Sequence, residues 1–285
     1  MKKTGCVVLN YNDAETTISL ISIIEKYERI DKIVVVDNDS TDNSFDILKQ
    51  YESKKILLVE SGRNGGYGYG NNFGVKLLAD LGYDYCIIAN PDVRFSEKCV
   101  DIALSQFNNN SNVVICAPRQ INGFTKREIF DSSWRVPTYF DYVLSPLFII
   151  GSIYKRFNKK KESQYGYVDC VPGAFLLIDI SRFLEIGGYD EKVFLYCEES
   201  ILGFRAKAHG LKTILIKDAA YEHFHSTSIK KTIGKVLNQK RLLFSSRMYY
   251  LEQYLKIGRL RRIIARASFR IALIEEWLWS HVVRR

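Results

Sequence analysis

The sequence of 285 residues predicts an α/β fold, an open, mostly parallel twisted sheet with helices on both faces, plus a C-terminal helical tail. Three observations predict it. Short, continuous apolar runs alternate with helix-compatible stretches through the first half, as parallel strands covered on both faces require. Glycine-rich and acidic segments follow directly after these runs, where such sheets hold their ligands. Past Lys230 the apolar spacing becomes helical and basic residues accumulate.

The strand-like runs are 5–9, 32–37, 56–60, 85–89 and 113–117, with helical stretches over 13–28, 40–51, 70–81 and 96–107. Asp13, Ser40 and Ser96 are placed to cap three of these. From 119 to 168 the periodicity fades. Arg119, Lys126, Arg127, Arg135, Lys155-Arg156 and Lys159-Lys160-Lys161 alternate there with aromatics and an apolar stretch over 139–153. An irregular segment this long points to function or mobility. Order returns with a strand over 171–179, a helix over 198–209 and a strand over 211–217. In the tail, Ile263, Ala267, Ile271, Ile274, Leu278 and Val282 fall on one stripe, with Arg262, Arg266 and Arg270 opposite. The expected division is a domain over 1–229 and an extension over 230–285.

Composition narrows the class. With 47% hydrophobic and 26% charged residues the chain is globular rather than disordered or collagen-like. No apolar run reaches the roughly 18 residues of a conventional transmembrane helix. The first run stops at Asn10-Tyr11-Asn12-Asp13, too early for a signal peptide, so it reads as a strand of a cytosolic protein. The six cysteines show no CxxC pair or metal-finger spacing, and read as buried small hydrophobes. Residues 230–285 hold fourteen Lys and Arg against three acids, a balance of +11 that leaves the rest at −2. The basic surplus belongs to the tail, which suggests chemistry in front and docking behind.

The chemistry-bearing residues sit after the strands. Asp37 ends the second run, where an acid can accept from a ribose hydroxyl or a base N–H; a helix-capping role suits Asp39 or Ser40 better. After the third run, residues 62–74 contain six glycines, which let backbone approach a ligand and point amides at phosphate. Their spacing and position are not those of a dinucleotide-binding fingerprint. Asp92 follows the fourth run in Asn90-Pro91-Asp92, a carboxylate suited to a hard cation on a diphosphate. Glu198 and Glu199 are adjacent at a helix start, where mutual repulsion raises one pKa toward that of a general base. His223 and His225 follow the last strand.

Taken in order, these segments resemble the family 2 glycosyltransferases, inverting enzymes of the GT-A fold, and most closely their bacterial rhamnosyltransferase-like branch. The matching pieces run from Val8-Leu9-Asn10-Tyr11-Asn12 through residues 36–42, 64–72, 90–93 and 173–175 to 187–199 and 223–228. The resemblance implies a donor-nucleotide site of Asn10, Tyr11, Asn12, Asp37, Asn38, Arg63, Asn64, Gly65, Gly66, Asn71 and Asn90. It implies Asp92 and His223 as ligands of Mn2+ or Mg2+ on the diphosphate, imidazole favouring Mn2+. Glu199 matches the general base, with Glu198 beside it, and 119–168 would hold the acceptor pocket. Glu199 stands where relatives carry Asp, Asn90 where many carry a first acid, and Ile201 where they carry a second acid.

The resemblance therefore implies a hexosyltransferase, moving a rhamnose- or galactose-type sugar from a UDP- or dTDP-sugar to a glycan, typically lipid-linked. Its setting would be cell-surface polysaccharide synthesis, such as capsule or O-antigen, at the inner face of the membrane. The tail admits three readings: an anionic membrane surface first, since Arg with Trp277 and Trp279 is an interfacial combination; then packing on the domain or on a second subunit; nucleic acid last. A sugar-nucleotide nucleotidyltransferase would need a basic glycine-rich loop where Asn10-Tyr11-Asn12-Asp13 stands. A non-catalytic nucleotide- or glycan-binding protein is the alternative, separated by donor hydrolysis that depends on Glu199.

Overall fold

The computed structural model describes residues 2–108, 110–129, 132–158, 165–224 and 236–283. Lys159-Lys160-Lys161, His225 to Ser228, residues 230–235 and the Val282 side chain lie outside the described residues.

Nine strands form one sheet: β1 (Thr4–Asn10), β2 (Lys32–Asp37), β3 (Ile56–Glu60), β4 (Tyr85–Ala89), β5 (Val93–Arg94), β6 (Val113–Asn122), β7 (Gly166–Val168), β8 (Phe175–Asp179) and β9 (Lys212–His223). The order is β3-β2-β1-β4-β8-β6-β9-β5, with β7 on β9. β3, β2, β1 and β4 are parallel, as are β6 and β9. β8 runs antiparallel between β4 and β6. The parallel registers bring Asn10 beside Asp37 at one edge, and Asn122 beside His223.

The first-half helices are α1 (Ala14–Ile24), α2 (Ser44–Lys49), α3 (Tyr67–Asp80) and α4 (Glu97–Asn108). They are followed by α5 (Tyr139–Leu144), α6 (Phe148–Asn158), α7 (Ile180–Glu185), α8 (Glu198–Ala208), α9 (Val236–Gln253) and α10 (Arg259–Leu278). Central strands bury nearly every residue, which explains their unbroken apolar composition. One apolar cluster joins them to Leu20, Ile24, Val100 and Phe107 on one face, another to Val75, Leu78 and Phe183 on the other. All six cysteines are free and buried.

Four details differ from expectation. The segment 119–168 is not irregular throughout: β6 continues to Asn122, and α5, α6 and β7 follow. The glycine-rich stretch is half helix, because α3 starts at Tyr67. Gly74 is needed there since a Cβ would lie 2.7 Å from Val7 Cγ1, so it brings helix and sheet together. Asp13 occupies its N-cap position, but its carboxylate receives the Thr16 hydroxyl at 2.8 Å. Ser40 caps no helix and turns back to Asp37, whereas Ser96 does accept from the Cys99 N–H.

The tail packs. A third apolar cluster combines Phe244, Tyr250 and Leu251 of α9 with Ala265, Phe269 and Ala272 of α10, Tyr139, Tyr142 and Val143 of α5, and Val193, Cys197 and Ile201. The buried face of α10 is Ala265, Ser268, Phe269 and Ala272, at helical spacing. Periodicity pointed instead to Ile263, Ile271, Ile274 and Leu278, which are 46–58% exposed. The packing face escaped notice because alanine and serine carry little apolar signal. Among the described residues no helix is long and apolar enough to cross a membrane.

Candidate active site

The carboxyl ends of β1, β2 and β4 and the end of β9 share one sheet edge. At the β1/β2 end, Asp37 is buried and its carboxylate accepts three hydrogen bonds. Oδ2 accepts from Asn10 Nδ2 at 2.8 Å and the Ser40 hydroxyl at 2.7 Å, and Oδ1 accepts from the Ser40 N–H at 2.8 Å. Asp37 thus organises the turn after β2 and caps no helix. Asn12 clamps the same turn, its Oδ1 accepting from the N–H groups of Thr41 and Asp42. Tyr11 stands half-buried beside it.

Asn38 ties this edge to the glycine-rich loop. Its Nδ2 donates to Asn64 Oδ1 at 3.0 Å and to the Gly66 carbonyl, and its Oδ1 accepts the Ser61 hydroxyl. Asn64 Oδ1 also accepts the Gly66 N–H. Gly66 adopts φ +88°, and a Cβ would collide with the Phe194 carbonyl at 2.1 Å. Gly65 precedes it in the same turn. Arg63 is exposed, with its guanidinium over the Tyr69 ring. Asn71 is buried in the first turn of α3, its Nδ2 bonded to the Tyr67 carbonyl and its Oδ1 without a hydrogen bond.

β5 pairs with β9 so that Val93 faces His223, which brings two distant parts of the chain together. His223 Nε2 lies 3.3 Å from Asp92 Oδ1. Gln120 Nε2 lies 2.7 Å from His223 Nδ1, and Gln120 Oε1 accepts the Tyr221 hydroxyl at 3.1 Å. The Gln120 amide donates to Nδ1 and so holds Nε2–H toward Asp92; ligation through Nε2 would need the amide turned over, its oxygen accepting from Nδ1–H. No motif pointed to this partner, because it sits on the extension of β6. A divalent cation fits the pair: adjacent donors on an octahedral ion stand about 3 Å apart. Among the described residues no group of three or more His, Cys, Asp and Glu side chains is placed to hold a metal ion. The half-buried Asn90 supplies its N–H to the Ala174 carbonyl, fixing the approach to Asp92.

α8 opens with the two glutamates after a sharp reversal, Tyr196 and Cys197 both having positive φ. Glu198 is buried, and burial followed by the charge of Glu199 pushes its carboxyl up to about 8. Glu199 keeps some exposed surface, and its carboxyl is also raised, chiefly by burial. Its Oε1 accepts the Gly173 N–H at 3.2 Å, while the Tyr67 hydroxyl donates to the Gly173 carbonyl at 2.7 Å. The glycine-rich segment and the glutamate pair therefore meet across Gly173. Ile201 is fully buried in the tail cluster.

Residues 6–179 match the family described as Glycosyl transferase family 2. The low-salt glycan biosynthesis hexosyltransferase Agl10 of Haloferax volcanii is 27% identical over 209 residues, 72% of this chain. The match spans 62% of Agl10, less than two thirds of its length. An N-acetylglucosaminyl-diphospho-decaprenol L-rhamnosyltransferase of Mycobacterium tuberculosis is 26% identical over 225 residues, 73% of this chain and 72% of that protein. The solved mannosyltransferase of Pyrobaculum calidifontis, in complex with GDP-Man and Mn2+, superposes with a TM-score of 0.59 and 12% identity. That superposition covers 98% of this chain and 75% of the other. At such identity the likeness is one of fold, and it bears out the GT-A expectation.

Proposed function

The chain belongs to glycosyl transferase family 2, and we propose that it is a metal-dependent, inverting hexosyltransferase. It would move a rhamnose- or galactose-type sugar from a UDP- or dTDP-sugar to a glycan acceptor, lipid-linked, in cell-surface polysaccharide synthesis. The observation that carries this reading is the meeting of three segments at Gly173-Ala174: the Gly173 N–H donates to Glu199, its carbonyl accepts the Tyr67 hydroxyl, and the Ala174 carbonyl accepts the N–H of Asn90, two residues before Asp92.

In this reading the β1/β2 edge and the loop of Arg63, Asn64, Gly65 and Gly66 receive the nucleotide. Asp92 and His223 hold Mn2+ or Mg2+, whose charge offsets that of the departing nucleoside diphosphate. Glu199, raised above the ordinary carboxylate range yet partly accessible, takes the proton of the acceptor hydroxyl as that oxygen attacks the anomeric carbon from the opposite face. Gly173 holds the carboxylate in place. Glu198 is too enclosed to meet an acceptor and tunes its neighbour.

The proposed setting is the cytoplasmic face of the membrane. Its support is an exposed apolar stripe on α10, which includes Ile263, Ile271, Ile274 and Leu278 and is flanked by exposed Arg259, Arg266 and Arg270. α6 adds Ile149, Ile153 and Phe157, 53–85% exposed. Apolar and aromatic side chains beside arginine suit an anionic bilayer surface.

Calorimetric titration of UDP and dTDP with Mn2+ and with EDTA tests the donor site. Metal-dependent binding, abolished by Asp92→Ala, is expected. Absence of binding by these and by GDP and CDP would leave only the fold.

A further inference from the structure

Gly173 sits in a turn before β8, and side chains from two distant segments hold its backbone. Its carbonyl accepts the Tyr67 hydroxyl at 2.7 Å, and its N–H donates to Glu199 Oε1 at 3.2 Å. A Cβ on Gly173 would lie 3.0 Å from Glu199 Oε1 and 3.4 Å from Tyr67 Oη. The carboxylate and the phenol therefore flank one face of this residue, and a side chain there would press on both. Residue 173 lies outside the strand ladder, so the bond from the hydroxyl fixes where its N–H points.

Tyr67 is itself firmly set. It opens α3, with its own N–H bonded to the Phe194 carbonyl at 3.1 Å. Its ring stands edge-on to Tyr189 at 5.6 Å, and Tyr189 in turn stands edge-on to Phe183 at 5.5 Å. Burial raises the phenol, so the hydroxyl keeps its proton over the working pH range and remains a donor. A hydroxyl carries one proton, and here it is committed to the Gly173 carbonyl. Tyr67 therefore passes no proton to Glu199 and acts on it through the turn. It also follows Gly66 directly, which ties the carboxylate to the loop proposed to receive the nucleotide.

We propose that Tyr67 is a positioning residue for the transfer, its hydroxyl holding the Gly173 turn so that the Glu199 carboxylate meets the acceptor hydroxyl. This rests on the transferase reading, in which Glu199 is the base. The Gly173 N–H favours the ionised carboxylate and opposes the effect of burial. Loosening the turn weakens that bond, so the Glu199 carboxyl should rise further. Glu198 and Cys197 at the start of α8, Tyr67, Tyr189, and Tyr221 of β9 lie within reach of its charge. Burial raises the phenols and the thiol, which leaves Glu198 as the neighbour that titrates in the same range.

The test follows the protonated Glu199 carboxyl band by infrared titration. Glu198→Gln is present throughout to remove the other half of the pair, and Glu199→Gln identifies the band. Tyr67→Phe, which keeps the ring, should raise the midpoint by about half a unit, the worth of one modest hydrogen bond. Gly173→Ala, whose Cβ would press on Oε1, should raise it too, and Tyr67→Phe should then add nothing. Tyr69→Phe is the control: on the same helix it removes a hydroxyl bond to the Ser61 carbonyl, and the midpoint should hold. An unchanged midpoint in Tyr67→Phe, an equal shift in Tyr69→Phe, or full additivity with Gly173→Ala would overturn the proposal. Donor hydrolysis is read separately, without Glu198→Gln. Tyr67→Phe should lower kcat several-fold with donor KM unchanged, and an unaltered kcat would also sink the proposal. Absence of hydrolysis from the unaltered protein would count against the transferase reading, while the carboxyl midpoint still decides whether Tyr67 places Glu199.

Discussion

The Tyr254 hydroxyl donates to Oδ2 of Asp190 at 2.6 Å, joining the end of the tail helix α9 to the loop that leads into α8. Tyr249 donates to the same oxygen at 2.9 Å, and Arg205 stands 3.4 Å away. Through this carboxylate the basic extension fixes the segment that presents Glu198 and Glu199. The tail is part of the site's support, whatever else its outer face does.

Burial pushes the Asp190 carboxyl up, but the hydrogen bonds from Tyr254, Lys192 N–H and Tyr249 outweigh it and hold the carboxyl below its ordinary value. A lowered folded-state pKa contributes stability above the unfolded value near 3.9 that is lost as pH falls. Asp190→Asn should therefore lower the melting temperature at pH 7 and flatten its decline below pH 4. An unaltered acid limb would show that the tyrosine clamp is not felt.

Replacing Glu199 by Gln should reduce turnover by about 10² to 10⁴, the usual worth of a positioned base, with nucleotide binding unchanged. Donor hydrolysis and transfer are both to be followed. Full activity in Glu199→Gln would remove this residue from the mechanism.

Both glutamates are raised, Glu198 to about 8, so they titrate as a pair. Transfer should rise with pH along a limb above the ordinary carboxylate range, and Glu198→Gln should move that limb to lower pH. The stability sign is opposite. A buried carboxyl with a raised pKa is costly once ionised, so its penalty grows between the unfolded value near 4.3 and about 8. Glu198→Gln should gain most over the unaltered protein near pH 8 and least at pH 5, as read by thermal melts.

Ile201→Asp should unfold or severely destabilise the chain because the side chain is fully enclosed. Phe269 stacks on Phe244 at 4.7 Å, and Phe269→Ala should cost about 3–5 kcal/mol. Denaturant titration measures both; small effects would mean the tail cluster is dispensable.

On the outer face, Ile271→Glu with Ile274→Glu should leave melting unchanged and weaken binding to vesicles containing anionic lipid. Binding should also fall with salt, since the arginines act through screened charge. Equal sedimentation of both proteins with vesicles would assign the stripe elsewhere.

β1 to β4 were legible because fully buried parallel strands are continuous apolar runs, and the strand-end residues Asn10, Asp37 and Asp92 followed from them. The direction of β8 was not, since an apolar pentapeptide reads alike either way. Nor were the hydrogen bonds that Asn10 and Ser40 make to Asp37, because they form only once distant neighbours are folded onto it. The short strand β5 carries no periodicity, yet its pairing with β9 sets His223 against Asp92.

By itself the sequence determined which residues stand at strand ends, that two carboxylates open a helix, and that the tail is basic and helical. These are local properties of composition and spacing. Tertiary structure decided which strand ends are neighbours, which face of α10 is buried, and that His223 stands against Asp92. Those depend on what packs against each group, and burial, partner and pKa exist only once distant segments share a surface.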